Sequence, residues 1–276
     1  MKLLTETTNY NETIKLSTNL DGTYNKPVIF HCYWNGNLNE KHLYSVLSCY
    51  YFNILNNKHK IILWLENNIP NNINEEIIKY CEIKQFLPEN EKEEFIRDYN
   101  YNSRSITFYS DFIRVLLLYK YGGCWFDLDC FFLRCFDPIF KNFRDEVCLY
   151  QWENQNYPNN AIFISLQPKS DKMKNNIEFI INRNMGWGFQ QAKLTYNLPL
   201  DMLVLPCSWF DSDFITNPYN IGTINFFKHT DKEYDFGNFY EGAFCYHWHN
   251  KWNMKIEENS IIKQLVLIIK QELCIL

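Results

Sequence analysis

Short apolar runs alternate with polar stretches along the first third of the chain. The runs at residues 28–34, 61–65 and 83–86 are continuous and rich in β-branched and aromatic residues, which favours strands buried on both faces. Residues 39–53 and 73–81 carry apolar positions at helical spacing, so they are predicted to be helices. Alternating strands and helices predict a parallel sheet covered by helices on both sides.

The pattern continues through the rest of the chain. Residues 147–152 and 161–165 are predicted to be strands, and Ser170 is predicted to cap a helix that follows it. Residues 259–273 form an amphipathic stretch that predicts a final helix packed on the body of the domain. The polar residues 1–26 lack clear periodicity and are interpreted as a lead-in to this domain.

Composition narrows the class of protein further. Of 276 residues, 46% are hydrophobic and 18% aromatic, which is enough for a packed core and excludes a disordered chain. The 27 basic residues are outnumbered by 32 acidic ones, so we expect no nucleic-acid partner. The 35 Asn and 3 Ala indicate an A/T-rich coding genome, such as that of a large DNA virus, a protist or a bacterium.

The cysteines and the apolar segments bear on location. The ten cysteines form no C-x-x-C pair and several lie inside apolar runs, which favours free thiols in a reducing compartment, although their even number also permits disulfides. The N-terminus has no signal-peptide pattern. The apolar run at residues 265–269 is far shorter than the roughly 20 residues that span a bilayer. We therefore expect a cytoplasmic protein without a membrane span.

The most informative segment begins with a predicted helix at residues 110–121. Its apolar side chains cover almost the whole circumference, as in a helix buried on all sides. Asp111 and Arg114 lie in its first turn and are neighbours at i,i+3 spacing. A buried guanidinium needs an anionic or polar partner. That partner is either Asp111 or a bound phosphate or sugar hydroxyl.

Gly122 and Gly123 end this helix. Residues 124–132 then alternate like a strand, and the Asp-Leu-Asp segment is expected to end that strand, where the sites of α/β proteins commonly lie. Alternation along a strand places Asp127 and Asp129 on the same face. Two neighbouring carboxylates repel each other, and a divalent cation removes that cost. The pattern predicts a Mg²⁺ or Mn²⁺ site, and the alternative is a solvated strand end.

Residues 110–114 and 121–129 together resemble the S-D-x-x-R and G-G-x-Y-x-D-x-D signature of glycosyltransferase family 32. This family includes initiating mannosyltransferases and capsule enzymes, and it is similar to the glucosylating domains of large clostridial toxins. The resemblance implies a GT-A-type α/β single domain over residues 27–276, with a mostly parallel sheet flanked by helices. It also implies a UDP- or GDP-sugar donor, Mn²⁺ or Mg²⁺, a glycan or protein acceptor, and transfer with retention.

The resemblance also assigns residues to the donor. Trp34, with Tyr33 beside it, corresponds to the aromatic that stacks on the nucleotide base, and the alternative is two core aromatics. Ser110 begins the motif, and Asp111 and Arg114 correspond to the pair that contacts the donor sugar.

The remaining implied roles concern the metal and the diphosphate. Asp127 corresponds to the aspartate that contacts ribose and metal, and Asp129 to the direct metal ligand. Asn160 stands where the family has an Asn near the donor. His247 first, or else His249, would bind the same metal or contact the diphosphate, and the alternative is a histidine stacked among aromatic side chains. The catalytic set implied is Asp127, Asp129, Asp111 and Arg114.

The sequence leaves the acceptor and one other class of function open. The family's acceptor-side element is not clear near residues 185–188, so the acceptor is not assigned. A sugar-nucleotide pyrophosphorylase is disfavoured because the turn at residues 35–37 has one glycine and no Gly-rich loop. A non-catalytic module that binds a nucleotide sugar or a glycan is the main alternative.

Overall fold

The computed structural model describes residues 2–66, 75–93, 106–153, 155, 158–182 and 201–275. These ranges contain ten strands and seven α-helices, in the order β1 (Lys2–Leu3), α1 (Tyr10–Thr18), β2 (Ile29–Trp34), α2 (Glu40–Cys49), β3 (Lys60–Glu66), β4 (Glu82–Phe86), α3 (Pro88–Glu91), α4 (Ile106–Tyr121), β5 (Gly123–Phe126), β6 (Cys130–Phe132), α5 (Asp137–Asn142), β7 (Val147–Gln151), β8 (Asn159–Ser165), α6 (Asp171–Asn182), β9 (Leu203–Pro206), β10 (Cys245–His247) and α7 (Ile261–Ile275).

Eight of the strands form one sheet in the order β1-β9-β7-β8-β5-β2-β3-β4. All neighbouring strands are parallel except β8, which runs antiparallel to both β5 and β7. The remaining strands, β6 and β10, form a separate antiparallel pair. The predicted mixed α/β domain with a mostly parallel sheet is confirmed.

Each face of the large sheet carries its own hydrophobic core, as strand β2 illustrates. Phe30 and Cys32 point to the core that also holds side chains of α2 and α7. His31 and Tyr33 point to the opposite face, where Tyr33 packs in the core built by α4 and α6. Helices therefore cover both faces, as the continuous apolar strands predicted.

Most predicted elements are present, and one predicted helix is not. Within the described part of residues 73–81 there is only a single 3₁₀ turn, Ile77–Lys79, so the predicted helix is wrong there, and residues 73–74 lie outside the described ranges. The turn buries Ile77 alone, which is too little apolar surface to hold a longer helix. Residues 185–188 also lie outside the described ranges.

The polar lead-in contains structure that its sequence pattern did not indicate. Strand β1 joins the edge of the large sheet by pairing with β9. Helix α1 is capped by the side chain of Asn9, and it buries Thr13 and Ser17. Those hydroxyls bond to distant partners, with Ser208 donating to Thr13 Oγ1 at 2.8 Å. Two of its three buried residues are polar, so hydrophobic periodicity alone did not reveal this helix.

The glycine pair after α4 makes a close approach that side chains would block. Gly123 has φ +121°, and a Cβ there would lie 2.2 Å from the carbonyl oxygen of Ile29. We expect Gly123→Ala to lower the free energy of unfolding by more than about 4 kcal/mol, measured by urea denaturation. Gly222→Ala is the control, because Gly222 has φ +79° but open space around it, and it should cost only about 1–2 kcal/mol. Similar losses for both variants would contradict the steric argument.

His31 is completely buried between β3 and the glycine turn. Its Nδ1 accepts from Trp64 Nε1 at 3.1 Å, so Nε2 carries the proton and donates to the Gly122 carbonyl at 3.0 Å. Burial lowers the pKa of His31 to about 4. The unfolded chain therefore binds a proton more tightly, and this contribution to stability is complete above pH 6.5 and is lost as the pH falls towards 4.

We accordingly expect acid to cost up to about 3 kcal/mol of stability through His31. In His31→Gln, the difference in unfolding free energy between pH 7 and pH 4.5 should shrink, as measured by urea titration at each pH. His229→Gln is the contrasting variant: the Glu258 carbonyl and Asp231 raise the pKa of this exposed histidine, so its loss should not reduce the acid sensitivity. If this difference in unfolding free energy is the same in His31→Gln as in the wild type, other groups cause the acid sensitivity.

All ten cysteines are free thiols, and most are buried among apolar side chains. Among the described helices, none has both the length and the hydropathy needed to cross a bilayer.

Candidate functional site

The Asp-Leu-Asp segment forms a turn and is not part of a single strand. Strand β5 ends at Phe126, and the last ladder bond runs from the Asp127 amide to the Ala161 carbonyl at 2.8 Å. The Cys130 amide then donates to the Asp127 carbonyl at 2.9 Å, which closes a β-turn before β6. The strand alternation expected along residues 124–132 therefore stops at Phe126, because the chain leaves the large sheet here to pair with β10, whereas the expected end of the strand at the Asp-Leu-Asp segment is confirmed.

Arg114 makes ion pairs with two carboxylates. Helix α4 begins at Ile106, so Asp111 and Arg114 lie in its interior and not in the predicted first turn. Arg114 Nη2 lies 3.1 Å from Asp111 Oδ1 and 3.3 Å from Asp127 Oδ1, which confirms the expected i,i+3 contact. The Arg114 and Asp111 side chains are 5% and 12% exposed, so these charges compensate each other in a low-dielectric environment.

The remaining donors of Arg114 bind mostly neutral groups, apart from a 3.4 Å bond from Nη1 to Asp127 Oδ2, and Nε donates to the Ser110 carbonyl at 3.5 Å. Nη1 donates to both the carbonyl and the Oδ1 of Asn160 at 2.7 Å, and Asn160 Nδ2 donates to Asp111 at 3.1 Å. The Ser110 hydroxyl accepts from Nη2 at 3.4 Å, and the guanidinium lies 5.1 Å over the ring of Trp125. Arg114 is thus fixed at every nitrogen, and burial still raises the pKa of Asp111 despite Arg114.

Asp127 is held at the edge of this cluster with 28% of its side chain exposed. Trp125 Nε1 donates to its Oδ1 at 2.7 Å. Burial raises the pKa of Asp127 to about 6 against the opposing effect of Arg114, and repulsion from Asp129 adds to the increase. The two carboxylates therefore interact, and a cation placed between them would relieve the repulsion.

Asp129 is bound by the segment that follows β10. Its Oδ2 accepts from the Asn250 amide at 2.7 Å and lies 3.2 Å from His247 Nε2. Burial alone would raise the pKa of Asp129, but His247 outweighs burial and lowers it to about 2. His249 and Asn250 have φ of 52° and 53°, a left-handed conformation that non-glycine residues adopt at a cost. This strained turn brings the Asn250 amide to Asp129.

A second buried carboxylate, Asp211, lies on the far side of His247. It accepts from Trp152 Nε1 at 2.6 Å, from the Tyr150 hydroxyl at 3.2 Å and from His249 Nε2 at 2.8 Å. His247 Nδ1 lies 2.9 Å from the Tyr150 hydroxyl and 3.5 Å from Asp211. Burial would lower the pKa of His247, but Asp129 and Asp211 outweigh it and raise that pKa well above its ordinary value.

Sequence reasoning missed Asp211 and its neighbours. A signal was present, because Asp211-Ser212-Asp213 is a second Asp-x-Asp flanked by Phe210 and Phe214. The structure also separates the two histidine candidates. His247 lies against Asp129, whereas His249 is bonded to Asp211.

A cavity of about 320 Å³ opens in front of the turn; we refer to it as the DxD cavity. Trp34 and Trp252, whose ring centroids are 4.7 Å apart, form part of its wall. Six of the ten predicted site residues line this cavity, whereas Asp111, Asn160, His247 and His249 do not. The lining residues are Tyr33, Trp34, Asn35, Ser110, Arg114, Asp127, Leu128, Asp129, Asn250 and Trp252.

The site has more negative than positive groups. Four buried or half-buried carboxylates, of Asp111, Asp127, Asp129 and Asp211, face one guanidinium and His247. Two groups of three residues bring one potential ligand atom per residue within 4.8 Å of one another. The first group is Asp129, Cys130 and His247, and the second is Asp211, His247 and His249. Carboxylate and imidazole groups suit Mn²⁺, and the excess of negative charge fits a divalent cation.

Comparisons with known proteins agree with this geometry. Residues 49–146 match the family model described as "Glycosyltransferase sugar-binding region containing DXD motif". A search of curated proteins gives no match. The glycosyltransferase GlyE of Streptococcus pneumoniae TIGR4 has a similar structure, with TM-score 0.51 and 11% identity over 91% of this chain and 64% of that chain. This likeness supports the fold.

Two further solved structures are similar at lower scores. Mouse xyloside xylosyltransferase 1 has TM-score 0.49 and 12% identity, covering 84% of this chain and 100% of that chain. PaToxG glycosyltransferase has TM-score 0.45 and 15% identity, covering 69% of this chain and 76% of that chain. Residues 49–146 are thus similar to the DXD-containing sugar-binding region of glycosyltransferases, and they lie in a mixed α/β domain with the GT-A fold.

Proposed function

We propose that this protein is a metal-dependent glycosyltransferase of the family 32 type. It moves a sugar, most simply a hexose, from a UDP- or GDP-sugar to a glycan or protein acceptor with retention of configuration. The observation that carries the proposal is the DxD cavity, where Asp127, Asp129 and Arg114 meet an aromatic wall. The free thiols support a reducing compartment such as the cytoplasm.

Each wall of the cavity suits one part of such a donor. Trp34 and Trp252 offer ring faces for the nucleotide base, and Tyr33 lies beside them. Asp127 can accept hydrogen bonds from ribose hydroxyls, and Arg114 with Asp111 orients the sugar. Ser110 and Asn160 hold Arg114 in place, so the orientation is set before the donor binds.

The residues present fit a divalent cation, Mn²⁺ or Mg²⁺. Asp129, Asp127 and His247 would hold it, because the carboxylates repel each other and His247 lies beside Asp129. When bound, the cation would neutralise the negative charge that develops on the nucleoside diphosphate as the sugar departs.

The test is a panel of UDP- and GDP-sugars with Mn²⁺, Mg²⁺ or a chelator. We expect one nucleotide family to raise the melting temperature only with metal, because a ligand that binds only the folded chain stabilises it. We also expect slow release of free nucleoside diphosphate. Stabilisation without any release or transfer would support the non-catalytic binding module, and no stabilisation by any donor would contradict both the transferase and a module that binds nucleotide sugars.

Asp211 is expected to tune the metal site through His247. Asp211→Asn removes the negative charge behind His247 Nδ1, so His247 is a weaker base towards a cation. We expect Mn²⁺ affinity to fall 10–100-fold, roughly the range for lost supporting carboxylates, measured from the electron paramagnetic resonance signal of free Mn²⁺. Asp235→Asn, in an exposed loop, is the control and should bind Mn²⁺ like the wild type. Unchanged affinity in Asp211→Asn would exclude this role.

A further inference from the structure

A second cavity, of about 660 Å³, opens beside the His249 turn and shares no lining residue with the DxD cavity. We refer to it as the Trp152 cavity. Its walls combine two aromatic rings with carboxylate and amide side chains. The lining residues are Trp152, Glu153, Gln155, Asp213, Phe214, Ile215, Thr216, Asn217, Asn220 and Gly222.

The aromatic part of this cavity is a fixed platform. The rings of Trp152 and Phe214 are stacked, with centroids 4.7 Å apart and planes inclined by 29°. Trp152 cannot rotate freely, because its indole N–H is bonded to the completely buried Asp211. Phe214 is 38% exposed, an unusual state for a large apolar ring in a chain that buries most of its aromatics.

The platform is continuous with the candidate metal site. The Phe214 ring centroid lies 4.0 Å from that of His249, and the His249 ring is stacked on His247 at 3.9 Å. His247 in turn lies 3.2 Å from Asp129. The Trp152 cavity therefore adjoins the same acidic cluster as the DxD cavity, from the side of His249.

The polar part of the cavity is held in place by its own backbone. Glu153 Oε2 accepts from the amide and the hydroxyl of Thr216, at 2.8 Å and 3.2 Å, and Oε1 has no hydrogen-bond partner within the part of the chain that the structure describes. Asn217 Oδ1 accepts from the amides of Tyr219 and Asn220, both at 2.9 Å. The loop is thus organised without a ligand, as preformed small-molecule sites are.

We propose that the Trp152 cavity binds the acceptor and that the acceptor is a saccharide. This inference rests on the proposed function, since a transferase needs a second substrate within reach of the first. A sugar ring has an apolar face of C–H groups that packs on aromatic rings, and its hydroxyls match carboxylate and amide groups. A concave pocket with both features fits a saccharide better than it fits the surface of a protein acceptor.

In the transfer step, a hydroxyl oxygen of the acceptor bonds to the anomeric carbon of the donor. The bond from that carbon to the diphosphate oxygen breaks, and the diphosphate keeps the electron pair. The hydroxyl proton passes to the departing diphosphate, so the products are the glycosylated acceptor and the nucleoside diphosphate.

Binding is tested without catalysis, by saturation-transfer NMR with methyl glycosides of glucose, galactose, mannose, xylose and N-acetylglucosamine. We expect at least one to bind the wild type, and Phe214→Ala to weaken that binding about tenfold through loss of the ring contact. Glu153→Gln, which keeps an oxygen for Thr216, should weaken it less. Ile224→Ala removes another exposed apolar side chain outside the cavity and should have no effect.

Kinetics then connect binding to transfer. With an active donor, Phe214→Ala should raise the KM for the saccharide about tenfold and the KM for the donor much less. Equal binding to the wild type and Phe214→Ala, or transfer to peptides with no saccharide binding, would overturn the proposal. Nucleoside diphosphate release by the wild type tests the proposed function separately, so its failure is distinguishable from failure of the acceptor site.

Discussion

Asp129→Ala is expected to reduce donor turnover with Mn²⁺ at least about 1000-fold, because a bound cation contributes several kcal/mol to stabilising the leaving diphosphate. Asp129 lies in the turn after β5, and its carboxylate contacts both His247 and the Asn250 amide. Its low pKa keeps it charged at neutral pH, so it is ready to bind a cation. The measurements are release of nucleoside diphosphate and Mn²⁺ affinity from electron paramagnetic resonance.

A second variant separates chemistry from folding. Asp129→Asn keeps an oxygen to accept from the Asn250 amide, so it should retain more stability than Asp129→Ala while losing turnover to a similar extent. Asp231→Asn, at an exposed aspartate, should behave like the wild type in both assays. Near-native turnover in purified, folded Asp129→Asn would show that this carboxylate does not bind the metal.

The parts of the fold that depend on local sequence could be predicted. Continuous apolar runs correctly predicted β2 and β3. The apolar side chains all around residues 112–118 correctly predicted the buried helix α4. Helix α1 was missed because two of its three buried residues are hydroxyl side chains that bond to distant loops. Hydrophobic periodicity carries no information about such contacts.

In the candidate site, too, local contacts could be predicted and contacts between distant segments could not. Asp111 and Arg114 could be paired from their spacing, because residues three apart on a helix are neighbours. The turn at Asp127 and Asp129 could not be predicted, because the chain bends there to reach β10, more than 100 residues later. Asp211 depends on contacts across three separate segments, so only the structure places it beside His247.

Arg114→Ala is expected to have the second large effect, on both stability and transfer. Arg114 is 4% exposed, and its removal leaves Asp111 and Asp127 without their cation. Breaking a buried pair from one side costs about 3–5 kcal/mol, so the free energy of unfolding in urea should fall by that amount. Arg144→Ala is the control, since that exposed pair with Asp145 should contribute less than about 1 kcal/mol.

Adding Asp111→Asn to Arg114→Ala distinguishes a donor-orienting arginine from a merely structural one. The amide removes one uncompensated charge, so the double variant should regain part of the lost stability. Turnover should remain low, because the sugar is no longer oriented, while nucleotide affinity measured by calorimetry should fall much less. If nucleotide affinity and turnover decline together and both return with stability, Arg114 only holds the fold, and the sugar must be oriented by other residues of the DxD cavity.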